Sequence, residues 1–241
     1  MSTTTLLERG LQTPEAQEYV DAALDSRVVH EMASHFGNET PAPPKSAGYD
    51  MNLRGTPIIA YYRNPQEIVE LAPEYQRPII RDILRNKFGS LEPYVGLNPD
   101  LPQMARSMGK DFAYSVLDHE KTHAAQPKGK SVLKGIYAMT PFGELPLGEM
   151  IVEGSVEYAL ERRGKKPPSR YFDEQRQGKA AYSYYRDFVY EMEGKSLGIT
   201  RQIMRAASRG GPNAAIRLIE SVPDMGAIVT KYAHNLNNRM N

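Results

Sequence analysis

Asp118-His119-Glu120-Lys121-Thr122-His123 is the stretch on which the reading of this chain turns. It stands in a run from about Met104 to Ala125, where Phe112, Tyr114, Val116 and Leu117 supply an apolar side; a helix is expected there, closed by Pro127. Residues four apart lie one above the other on a helix. His119 and His123 therefore present two imidazoles to one point, while Glu120, one position round, faces the same space. Two nitrogen donors and a carboxylate from one helical turn is the pattern with which a zinc ion and a general base are assembled. The plain alternative is two polar residues on an exposed helix face.

The run G-E-M-I-V-E-G-S-V-E-Y-A-L-E-R-R, Gly148 to Arg163, weighs against that alternative. Glu149, Glu153 and Glu157 recur every four residues and so share one side of a helix, and Ile151, Val152, Val156, Ala159 and Leu160 give it an apolar side. Zinc in a hydrolytic site takes three protein ligands and leaves a fourth position open, so a carboxylate from this helix would complete a His, His, Glu set. Cysteine is absent, which removes a deformylase-type ligand set. Di-iron bundles need a second Glu-x-x-His, and the chain has no second copy of Glu120-x-x-His123. His30 and His35 carry no role in this reading.

H-E-K-T-H followed by V-E-G-S-V-E-Y-A resembles the gluzincin metallopeptidases, with Val156 standing where that family often has Ala. The likeness covers roughly residues 105 to 205. The resemblance implies a zincin-like fold and one zinc ion per chain, held by His119, His123 and Glu153. It implies Glu157 as an acceptor orienting a histidine ring, and Glu120 as the base that takes a proton from water and passes it to the leaving amine. Related peptidases add a Tyr or His beside the oxyanion, and Tyr182 fits their spacing, six residues before Phe188-Val189; Tyr184, Tyr185 and His234 are competitors. They also pair substrate backbone with an edge strand. Tyr94, Val95, Gly96 and Leu97, in the short apolar run Leu91 to Leu97, are the candidates for that strand.

Around this centre the expected fold is α+β, predominantly helical, with a small mixed sheet. Thr13-Pro14-Glu15 starts a helix running to about His35, with Val20, Ala23, Leu24, Val28 and Met32 as its stripe. Residues 38–55, including Pro41 to Pro44, read as a linker. Residues 1–50 are thus expected to form an appendage or an inhibitory pro-segment, and 51–241 the peptidase domain. Residues 56–63 read as a strand, Pro65 opens a helix, and another after Pro73 carries Tyr75, Ile79, Ile80, Ile83, Leu84 and Phe88 up to Gly89. The stretch 128–147 is broken by Gly and Pro. The remainder is helical: Phe172 to Met192, then two helices around Ile199 to Ala207 and Asn213 to Ile219, separated by Gly210-Gly211-Pro212.

Thirty basic against 29 acidic residues give no electrostatic reason to expect nucleic acid or a charged membrane as partner. Arg162, Arg163, Lys165 and Lys166 read as a solvated helix end. No apolar run approaches a membrane span, and the first residues lack a secretory pattern, so cytoplasmic location is the expectation. The function expected is zinc-dependent cleavage of a peptide or protein substrate, with an endopeptidase slightly preferred. The competing expectation is a silent or latent zinc-binding scaffold of the same fold.

Overall fold

Short polar side chains and glycines cut the chain into more pieces than its hydrophobic periodicity suggests. In the computed structural model, which describes residues 13–175 and 181–240, the expected helix from Thr13 to His35 is two. Thr13 Oγ1 accepts the Ala16 N–H at 3.2 Å and opens α1 (Pro14–Leu24). Asp25 then accepts the Arg27 N–H at 3.0 Å and pairs with its guanidinium at 2.6 Å, which stops α1 and starts α2 (Arg27–Phe36). Likewise the helix expected from Met104 divides into α5 (Leu101–Met108) and α6 (Lys110–Ala125), because Gly109 adopts φ 94° between them.

The chain divides into two compact units. The first holds residues 13–33 and 40–125. Its strands β1 (Ser46–Tyr49), β2 (Ala60–Arg63) and β3 (Tyr94–Leu97) form a sheet in the order β1-β3-β2, with β1 parallel and β2 antiparallel to β3. Helices α3 (Pro65–Leu71) and α4 (Arg77–Phe88) connect β2 to β3. Tyr19, Met32, Leu97, Leu101, Phe112 and Leu117 are among its fully buried side chains. The expected stripe of α4 stays outside: Leu84 is buried, whereas Tyr75, Ile79 and Ile83 are exposed.

The first 50 residues hold more than a helix and a linker. The linker contains strand β1, and α1 packs on both α6 and β1, so residues 13–33 and 40–50 lie in the unit that carries the His119 helix, whereas residues 34–39 lie in the other. The first unit ends at Ala125, and the second continues from Gln126. Lys121, inside the motif, ties α6 to α1: its buried ammonium meets the Ala22 carbonyl and the Asp118 carboxylate, each at 3.0 Å. Residues 1–12 lie outside the described residues.

The second unit holds residues 34–39, 126–175 and 181–240 of those described. It runs α7 (Lys130–Leu133), a hairpin of β4 (Ala138–Thr140) and β5 (Gly143–Leu145), α8 (Leu147–Arg162), α9 (Pro168–Gln175), α10 (Ala181–Lys195), α11 (Ile199–Glu220) and α12 (Met225–Met240). Residues 176–180 of the helix expected from Phe172 lie outside the described residues. Helix α11 kinks at Gly211 (φ 69°) before Pro212, where the sequence places its break. Helix α8 is buried on all sides from Met150 to Leu160, and its main partner is α10. Gly154 makes that pairing close, since a Cβ there would collide with the Tyr185 carbonyl. The whole is a predominantly helical α+β fold with a small mixed sheet. Among the described residues no helix is long and apolar enough to cross a membrane.

Candidate metal centre

Helix α6 presents His119 and His123 one turn apart, their ring centroids 5.0 Å from each other and both side chains buried. Helix α8 supplies Glu153, also buried. One ligand atom from each of the three lies within 4.8 Å of the other two, so they form a buried group able to hold a metal ion. The donor chemistry fits zinc: two imidazoles and one carboxylate are a hydrolytic zinc set. The alternatives that spacing left open are thereby narrowed. Glu149 lies one turn earlier on the same helix, only partly buried, and Glu157 is engaged one turn later.

A buried carboxylate is costly unless paired. Glu153 is paired: the Lys134 ammonium lies 2.6 Å from its Oε1, reaching in from just after α7, with Lys134 half exposed and Glu153 almost fully covered. Lys134 escaped sequence reasoning because a lone lysine among glycines and apolar residues has no periodicity to mark it. Glu157, fully buried, accepts a hydrogen bond from Ser169 Oγ, which in turn accepts one from Arg186 Nη1 at 2.8 Å. Arg186 is itself buried, and Asp187 lies 3.2 Å from its Nη2. Glu157 is thus tied to a buried cation.

Glu120 is partly exposed, and its Oε2 accepts the backbone N–H of Tyr62 at 2.7 Å. The Tyr62 hydroxyl in turn donates to the Ala42 carbonyl at 2.6 Å. Here the structure corrects the substrate-strand expectation. Tyr94, Val95, Gly96 and Leu97 form β3, the central strand, whose two edges are taken by β1 and β2. It has no edge left for an added strand. The strand beside Glu120 is β2. Ile59 bonds inward to Asn98, and strand alternation then turns the N–H and C=O of Ala60 and Tyr62 away from β3.

Four candidates were open for the oxyanion donor. Tyr182 is 42% exposed, its ring edge-on to Tyr185 at 5.7 Å. Tyr185 is half-buried, and burial, then the charges of Glu149 and Glu153, push its hydroxyl up to about 12. Tyr185 thus feels the charge of Glu153. His234 lies against Phe142 of the β4–β5 hairpin, ring centroids 4.8 Å apart, and bonds Asn238 at 2.9 Å. Compared with models of protein families, with curated proteins and with solved structures, the chain finds no match in any of the three.

Proposed function

We propose that this chain is a zinc-dependent metallopeptidase that hydrolyses peptide bonds within a polypeptide substrate. The observation that carries the reading is the buried convergence of His119, His123 and Glu153, next to a partly exposed carboxylate at Glu120. The three ligands would hold the ion, and bound zinc would polarise the scissile carbonyl and lower the pKa of water.

Every other part is played by the chain. Glu120 takes the proton from the attacking water and returns it to the leaving amine, which its position one residue from a ligand supports. The outward N–H and C=O of Ala60 and the C=O of Tyr62 pair with the substrate main chain, so β2 takes the role foreseen for Tyr94–Leu97. This lays the substrate beside the carboxylate that already reaches the Tyr62 N–H. Tyr185, protonated across the neutral range because its hydroxyl is pushed up to about 12, donates to the developing oxyanion in preference to Tyr182.

The test is elemental analysis of zinc together with peptide-library cleavage, on the unaltered protein, Glu120→Gln and Glu153→Ala. One zinc per chain, lost with Glu153→Ala and retained with Glu120→Gln, and cleavage lost in both variants, is the expected result. Zinc without cleavage in the unaltered protein would replace the proposal with the silent scaffold. No zinc after reconstitution would overturn both.

A further inference from the structure

A second pocket lies within the unit of residues 34–39 and 126–240, built from parts of the chain that the peptidase reading does not use. It encloses about 400 Å³ and is walled by His35, Phe36 and Tyr158, with Arg162, Arg163 and Arg201 converging on it. Arg162 and Arg163 are exposed at the end of α8, as the sequence leads one to expect, and they share the lining of this pocket with the exposed Arg201 from the first turn of α11. Among the described residues none of the three guanidiniums is paired with a carboxylate. The one hydrogen bond of this kind runs from Arg163 Nη2 to the neutral Ser34 hydroxyl at 2.9 Å.

The pocket's acidic residue is already spent. Glu193 accepts the Gly198 N–H at 2.6 Å and the Thr200 N–H at 3.0 Å, and takes the Thr200 hydroxyl as well, so its carboxylate closes the N-terminus of α11. Three like charges converging on one cavity repel one another, and one carboxylate held on backbone N–H groups does not neutralise them. Arginine forks match phosphate and carboxylate geometry in bidentate pairs, and the volume suits a small molecule. We infer that this pocket binds a small phosphate-bearing anion, held by the guanidiniums of Arg162, Arg163 and Arg201 beside the His35 ring.

The ring of His35 supports this. It sits 5.2 Å from Phe36 and 6.0 Å from Tyr158, centroid to centroid. Burial lowers its pKa first, then Arg163; Glu193 opposes them, and Arg201 and Arg162 lower it further. A bound anion opposes that field and raises the His35 pKa, so binding takes up a proton.

The experiment is calorimetric titration of the full chain with pyrophosphate at fixed ionic strength, in two buffers of different ionisation heat. Arg201→Gln, Arg163→Gln and, as a control, Arg217→Gln at the far end of α11 are run beside it, with citrate as a second probe. Saturable one-site binding, weakened about tenfold or more by Arg201→Gln and by Arg163→Gln and unchanged by Arg217→Gln, is expected. Proton uptake on binding that vanishes in His35→Gln completes the expected pattern. No saturable binding at millimolar pyrophosphate would overturn the inference, as would equal weakening by all three arginine variants. Binding of citrate alone would overturn the phosphate assignment.

Discussion

Gly154→Ala measures how closely α8 and α10 are joined behind the candidate ligand Glu153. In an exposed helix interior, glycine to alanine stabilises by about 1 kcal/mol. At Gly154 the added methyl meets the Tyr185 carbonyl, and Val189 Cγ2 lies only 2.9 Å from where it would sit. A backbone carbonyl cannot rotate away, so the overpacking cost falls toward the upper part of the usual range of about 1–3 kcal/mol. The net expectation is a loss of about 1–2 kcal/mol, which for a chain of this size lowers Tm by roughly 2–8 °C. Gly194→Ala is the control: it lies on α10 with nothing within 4 Å of the position its new methyl would take, and should leave Tm unchanged or raise it by a few degrees. Scanning calorimetry of both variants in metal-free buffer reads the sign directly, and a zinc titration then shows whether displacing α8 weakens binding through Glu153. A Gly154→Ala midpoint equal to or above that of Gly194→Ala would refute the close packing, and with it the physical reason for glycine after the ligand.

Three further outcomes follow from the same contacts. Lys134→Met removes the cation 2.6 Å from Glu153 Oε1; since Lys134 is half exposed, the pair is worth about 1 kcal/mol, and zinc affinity should rise roughly fivefold by calorimetry. A fall in affinity would mean that Lys134 holds the carboxylate in place for the metal. Glu157→Gln should weaken zinc binding less than Glu153→Ala, because Glu157 is engaged by Ser169, whereas Glu153 is one of the three convergent donors; equal losses in the two titrations would overturn that ranking. Tyr185 holds its proton more tightly folded, at about 12, than unfolded, near its ordinary 10. Its contribution to stability is therefore complete below pH 10 and is lost between about 10 and 12. Denaturation midpoints across that range should fall more steeply for the unaltered protein than for Tyr185→Phe, and parallel curves would count against the buried tyrosine.

Local chemistry made part of this protein legible in one dimension. The four-residue spacing of His119 and His123 needs only a helix to converge, and helix was readable from the apolar side of α6. Pro65 and Gly89 bounded the connecting helices, and Gly211-Pro212 marked the kink in α11, because their backbone restrictions act without help from the rest of the chain. Glu149, Glu153 and Glu157 were known to share a helix face for the same reason. Which of them joins the histidines is not set by spacing, since all three share the face; nor is the close approach of α8 to α10, which Gly154 permits.

Tertiary structure also decided what periodicity cannot encode. A strand's pattern does not say whether it is central or at an edge, so Tyr94–Leu97 and Ala60–Arg63 read alike, and only pairing revealed that β3 is central and that β2 is the strand beside Glu120. Lys134 and the arginines around His35 are single charged residues far apart in the chain. Their roles exist only where the fold sets them against a carboxylate or a cavity, because electrostatic energy depends on distance in space and on exclusion of water, neither of which is written in sequence order.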